Sequence, residues 1–256
     1  MQKTMKRAIL ALQFLTVFSV KKDLQFNKGE LKGAMAFFPL AGAVQGLILA
    51  AAEYAFSSFF SAGISAALIV LILALTNGAL HLDGFADTVD GLAGGRSPED
   101  RLRIMRDSAI GAVGVVFLVL ILLLKYLAIK ELPDGVKYAA IFLFPVAGRW
   151  AMVPMACWSG YARKEDGLGN AFTGNSYRAL FIATAITAAF SFFLLGAYSL
   201  VILAGLAAVV YLFTVFFKNR LGGVTGDVFG FQNECAEVIF LLMILASEGF
   251  RRKGGF

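Results

Sequence analysis

Cysteine, histidine and proline are scarce in this sequence: 256 residues hold two Cys, one His and five Pro. Cys157 and Cys235 each sit beside or within an apolar run, and two thiols cannot build a disulfide framework or a cysteine metal site. His81 is the only imidazole, and no serine or cysteine stands at a credible spacing from it, so a hydrolase triad has no support. Charge is thin as well, at 16%. The net charge of +6 comes from basic residues that punctuate apolar segments and form no stripe with interleaved aromatics, which argues for a membrane and against nucleic acid. Repeats, low-complexity tracts and linkers are missing too, so residues 1–256 read as a single integral membrane domain.

What the chain has in abundance is apolar helix. Hydrophobic residues make up 59%, with 25 Phe and 27 Gly, and mean hydropathy is +0.77. That composition suits helices whose backbones approach closely in a bilayer. A span needs about 20 mostly apolar residues, and such stretches occur at 33–54, 62–80, 111–129, 137–158, 179–197 and 198–217. A seventh, 228–248, is apolar only from Val238 to Ala246. The fold expected is therefore all-α, a polytopic integral membrane helix bundle with six to seven transmembrane helices. Residues 8–20 follow Lys3, Lys6 and Arg7 without a small-residue cleavage site, and read as a short interfacial or buried helix, not a signal peptide.

Lys and Arg concentrate on the cytoplasmic side of membranes. With the N-terminus inside, seven fall before or at Lys32, four from Arg96 to Arg106, three from Arg163 to Arg178, and two more are Lys218 and Arg220. Lys125, Lys130 and Lys137 then lie toward the other side, and Arg149 falls within a span. The basic C-terminus, Arg251 to Lys253, argues against a full seventh crossing. In this topology the polar segments 81–110, 159–178 and 218–237 all open on one face, predicted to be cytoplasmic.

The strongest local signal is HLDGFADTVDG, residues 81–91. At about 100° per residue, Asp83, Asp87 and Asp90 fall within an arc of about 60° on one helix face, with His81 about 160° away from Asp83. His81 is thus read as packed or hydrogen-bonded. Three like charges at the end of an apolar helix call for a cation, and an all-oxygen set suits Mg²⁺; a solvated acidic helix end is the plainer reading. A second acidic group holds Asp227, which can cap a helix start, and Glu234 with Glu237, three residues apart. Glu237 buried against a lysine is the alternative there. Between the two groups, Ser97 reads as a helix cap before Pro98 and Glu99. Arg96, Arg101, Arg103 and Arg106 offer forks suited to phosphate, although headgroup anchoring explains such residues as well. Arg106 and Asp107, next to a span, are the better site candidates. The segment YARKEDGLGNAF brings Arg163, Lys164, Gly169 and Asn170, with glycines that let a backbone approach a ligand.

HLDGFADTVDGLAGG followed by RLRIMRDSAIGAVGV resembles the cobalamin synthase family. FLTVFSV, AFFPLAGAVQG, YARKEDGLGNAF and GGVTGDVFG with Glu234 and Glu237 are similar to the family's other motifs, in order and over nearly the whole chain. The chain departs at Val17, Phe18 and Ser19, where that family usually has Arg-Leu-Pro. The resemblance implies a Mg²⁺-dependent enzyme of the bacterial or archaeal inner membrane. Such enzymes join adenosylcobinamide-GDP to α-ribazole or its 5′-phosphate and release GMP. By that resemblance Asp83, Asp87 and Asp90 hold Mg²⁺, with Asp227, Glu234 or Glu237 as further ligands. Asp90 or Asp107 is the candidate base. Arg106, Arg163 and Lys164 contact the diphosphate, with Lys218 and Arg220 in reserve. A homo-oligomer is compatible with the sequence.

Two other readings compete. A CDP-alcohol phosphotransferase needs an arginine after the Asp-Gly-x-Ala start, where this chain has Asp87, and a later aspartate pair that is missing. An ion-coupled transporter predicts carboxylates near mid-membrane on broken helices; here they gather at helix ends.

Overall fold

A computed structural model describes residues 3–20, 27–163, 168–174 and 176–252. These residues form eleven α-helices: α1 (Lys3–Leu15), α2 (Lys28–Ala34), α3 (Phe38–Phe56), α4 (Ala62–Thr76), α5 (Leu80–Gly94), α6 (Pro98–Ile104), α7 (Ala112–Lys130), α8 (Asp134–Trp158), α9 (Tyr177–Leu195), α10 (Ser199–Leu221) and α11 (Gly226–Arg252). No named strand occurs among them.

Six stretches are long and apolar enough to cross a hydrocarbon layer of about 30 Å: Gly29–Phe56, Ala112–Lys130, Asp134–Trp158, Tyr177–Leu195, Ser199–Leu221 and Gly226–Phe250. The α4–α5 pair makes a seventh if counted as one span, although the two helices meet at 90°. The protein is therefore a polytopic membrane bundle. Phe181, Phe193, Val201 and Leu212 lie exposed on its outside, a surface that lipid tails can cover without leaving backbone groups unpaired.

α1 is the short helix expected near the N-terminus, ending at Leu15 with Leu10, Ala11 and Leu15 buried. The stretch expected as one span at 33–54 lies within one continuous helical run, Gly29–Phe56, tightened at Met35–Phe37 between α2 and α3. Asn27 and Glu30 cap α2 reciprocally, and Glu30 also holds Lys6 of α1 at 2.6 Å. Pro39 then sits in the first turn of α3, where its missing N–H costs nothing.

α8 is the axis of the bundle, buried from Leu143 to Cys157 and packed against α3, α9, α10 and α11. Its contact with α3 is set by glycine. A Cβ on Gly42 would stand 2.5 Å from the Pro145 carbonyl oxygen, and one on Gly46 would meet the backbone of Phe142. In a bilayer, where helices gain little by hiding from lipid, such close approach supplies much of the association.

The stretch expected at 62–80 is broken. α4 stops at Thr76, Gly78 and Ala79 adopt left-handed conformations (φ 61° and 56°), and α5 leaves at a right angle. Asn77 supports the turn by accepting from the Ala79 N–H at 3.0 Å. A non-glycine residue in that region stores about 1 kcal/mol or more. The break is what turns the aspartate helix away from the direction of α4.

Candidate active site

Two glycines decide where the aspartates of α5 end up. A Cβ on Gly84 would lie 2.8 Å from the Asp227 carbonyl oxygen, and one on Gly230 would lie 2.9 Å from that of His81. α5 and α11 therefore touch backbone to backbone, and this contact sets Asp227 beside the aspartate row. Asp87 feels the negative charges of Asp83, Asp227 and Asp90, opposed by the Arg163 guanidinium. Gly84→Ala is expected to force the two helices apart; a displacement on the scale of 1 Å at a reacting centre costs about a hundredfold in rate. Turnover against retained thermal stability checks this, and an unimpaired Gly84→Ala would show that the crossing tolerates a side chain.

Asp227, expected as a helix cap, is not one. The structure gives that role to Thr225, whose hydroxyl accepts from the Val228 N–H at 3.3 Å and donates to Asp227 at 3.2 Å. Asp227 instead occupies the first turn of α11, where the helix dipole favours an anion, and accepts from Arg163 Nη2 at 2.7 Å. The loop carrying Arg163 is pinned to the start of α11: Val224 N–H donates to Gly160 at 3.0 Å and Ala162 N–H to Val224 at 2.9 Å. Arg101 donates to the Arg220 carbonyl at 3.0 Å, tying α6 to the end of α10. The three polar segments of the sequence thus meet at one end of the bundle.

Asp90 has a visible structural task. Its two oxygens accept from the Gly111 and Gly114 N–H groups at 2.7 and 2.8 Å, capping α7 from a neighbouring helix. Gly111 and Gly114 lack side chains where a Cβ would collide with this carboxylate. Asp90→Ala is expected to cost about 2 kcal/mol of stability, the size of a hydrogen bond to a charged group. A thermal unfolding curve unchanged by Asp90→Ala would show that this cap does not hold α7.

Two cavities flank the row, and Asp83 lines both. One, of about 220 Å³, is largely apolar, with Gly169 among its lining residues. The other, of about 550 Å³, is the more polar of the two, its lining including Asp83, Asp87, Arg106, Asp107 and Ser108. Asp107 accepts from the Ala109 N–H at 3.1 Å. Gly169 is buried, with room for a Cβ denied by the Tyr161 ring and the Gly226 nitrogen, and the Asn170 carbonyl accepts from the Thr173 hydroxyl. Ser97 caps α6 as expected. Lys164 lies outside the described residues.

Glu234 and Glu237 belong elsewhere. Both are fully buried in α11, where Lys125 donates to the two carboxylates, Arg149 donates to Glu237, and Asn233 Nδ2 reaches Glu237 at 3.0 Å. These cations neutralise both carboxylates, and the alternative of a partner lysine for Glu237 is what the structure shows. Lys125, assigned by sequence to the far side, is inside the bundle. The signal was present: a lone cation in an apolar run needs a partner at the same depth.

Among the described residues, no three His, Cys, Asp or Glu side chains are already gathered closely enough to hold an ion unaided. The donor chemistry is nonetheless that of a hard cation, since Asp83, Asp87 and Asp227 offer only oxygen. Mg²⁺ is commonly held by one or two carboxylates completed by water and substrate phosphate, and an open row of this kind fits that mode.

The family model described as cobalamin-5-phosphate synthase matches residues 7–245. Curated relatives named adenosylcobinamide-GDP ribazoletransferase include one from Geotalea daltonii, 39% identical over 94% of this chain and 97% of its own length. Another, from Desulforamulus reducens, is 37% identical over the same shares, and one from Clostridium botulinum strain Okra is 34% identical over 96% of this chain and 99% of its own. No solved structure matches.

Proposed function

The chain belongs to the cobalamin-5-phosphate synthase family, and on that premise we propose that it is a Mg²⁺-dependent transferase joining adenosylcobinamide-GDP to α-ribazole, or α-ribazole 5′-phosphate, with release of GMP. The observation that carries this reading is the position of Asp83, shared by two cavities at the head of a carboxylate row. A reaction between two large substrates needs such a junction.

A secondary ribose hydroxyl, free in α-ribazole and in its 5′-phosphate alike, attacks the cobinamide-side phosphorus through its oxygen, the bond from that phosphorus to the GMP oxygen breaks, and the hydroxyl proton passes to a carboxylate. Asp83 and Asp87, with Asp227 opposite, would hold Mg²⁺, which when bound neutralises charge on the reacting phosphate. Arg106, beside the polar cavity, and Arg163, held against Asp227, supply the guanidinium forks that position the diphosphate. Asp107 lines the same cavity and is the candidate base, whereas Asp90 is engaged in capping α7. The distribution of Lys and Arg supports a cytoplasmic-membrane protein whose active end faces the cytoplasm. Self-association belongs to the same proposal and is read from the size of the detergent-free particle.

Purified protein in lipid-supplemented detergent, given adenosylcobinamide-GDP, α-ribazole and Mg²⁺, is expected to form a corrinoid product and GMP in equal amounts. EDTA should stop the reaction and excess Mg²⁺ restore it. A folded sample that makes neither product would overturn the assignment.

A further inference from the structure

The smaller cavity has a character of its own. Phe14 of α1, Phe38 of α3 and Phe172, just beyond the turn at Leu168–Ala171, stand around it as one aromatic cluster. Phe14 and Phe172 have centroids 4.7 Å apart, and Phe38 meets Phe172 edge-on at 5.5 Å. Ala156 of the buried axis helix completes the wall. Polar groups are few: His81, Asp83 and Asp227. His81 is 2% exposed and its Nδ1 has no hydrogen-bond partner.

Size and polarity narrow the occupant. An apolar cavity of roughly 150 Å³ accepts a benzene ring, so about 220 Å³ accommodates a fused bicyclic arene. A guanine ring carries donors and acceptors on several edges and would leave them unpaired against phenylalanine, which is costly. A methylated benzimidazole has apolar edges and a single free ring nitrogen. Aromatic walls suit its faces, and an imidazole, with one donor and one acceptor, can meet that nitrogen.

We propose that this cavity is the subsite for the benzimidazole base of the nucleoside substrate, with Phe14, Phe38 and Phe172 around the ring and His81 hydrogen-bonded to its free nitrogen. The assignment rests on the transferase reading for the identity of the nucleoside. It places the ribose on the Asp83 side, so that a secondary ribose hydroxyl reaches the carboxylate row while the diphosphate occupies the polar cavity with Arg106. The unpartnered His81 nitrogen thereby acquires a role that the phosphate chemistry does not give it.

The test is direct binding, measured apart from turnover. Equilibrium dialysis of radiolabelled α-ribazole against the detergent-solubilised protein is run with Ala156→Leu, which fills the cavity, and with His81→Phe, which keeps a ring but removes the nitrogens. Phe14→Ala, on a different helix, serves as a third variant, and size-exclusion profiles identify any that fails to fold. Ala156→Leu is expected to weaken α-ribazole binding at least tenfold, and free dimethylbenzimidazole to compete with the label where guanosine does not. In the turnover assay with both substrates, KM for α-ribazole should rise by a similar factor while KM for adenosylcobinamide-GDP stays within twofold. Binding that survives in all folded variants, or competition by guanosine instead, would overturn the subsite. If the wild type binds the arene through this cavity yet makes no corrinoid product, the transferase reading fails and the arene site stands. If the wild type turns over and the KM effect falls on adenosylcobinamide-GDP, the transferase reading stands and the arene site fails.

Discussion

Asp83→Asn is expected to lower kcat by roughly a thousandfold, about 4 kcal/mol of lost transition-state stabilisation, while leaving the thermal unfolding temperature unchanged or slightly raised. The asymmetry follows from position. Asp83 is exposed at the junction of two cavities and lies close to the Asp87 and Asp227 charges. Removing one negative charge from that row relieves repulsion in the free protein, yet takes a hard oxygen ligand from the point where phosphate charge develops. Asp87→Asn should behave alike. Single-turnover formation of GMP, with folding followed on the same sample, checks both halves of the expectation. An Asp83→Asn protein that keeps more than a tenth of wild-type kcat would show that the row does not serve the reacting phosphate.

The second large effect concerns stability. Glu237→Leu is expected to cost about 3–5 kcal/mol, the scale found when one member of a buried ion pair is removed. Glu237 accepts from Lys125, Arg149 and Asn233 inside the bundle, so its loss leaves Arg149 without a counter-charge while Lys125 keeps Glu234. The four charges thus sort into two pairs, which yields a sharper expectation. Adding Arg149→Leu to Glu237→Leu removes a complete pair and should recover much of the loss, because an apolar replacement of a whole buried pair is often neutral. Unfolding in detergent, compared across the two single variants and the double, measures the coupling. Purely additive losses would show that Glu237 and Arg149 act independently.

The aspartate row was legible because a helix converts sequence spacing into direction: residues 83, 87 and 90 had to share a face once α5 formed. Ser97 before Pro98 was legible for the same local reason. Asp227 stands out in the sequence as a site residue, but its spacing suggests a cap, a role that Thr225, two positions earlier, takes by holding the first-turn N–H. The split at Asn77–Gly78–Ala79 escaped hydropathy, which sums apolar character and is blind to a left-handed turn inside it. The pairing of Lys125 with Glu234 and Glu237 spans more than a hundred positions, and a charge count by loop has no means of matching partners across it.

By itself the sequence determined the membrane-spanning class, the family and the helix faces that carry carboxylates, because these depend on local composition and on the fixed period of a helix. Only the tertiary structure decided which carboxylates share a site. Gly84 and Gly230 allow two backbones to touch and bring Asp227 to the row, whereas Lys125 and Arg149 draw Glu234 and Glu237 into the interior. Charge at a given depth in a low-dielectric interior must find its opposite, and which opposite it finds is a property of how helices pack.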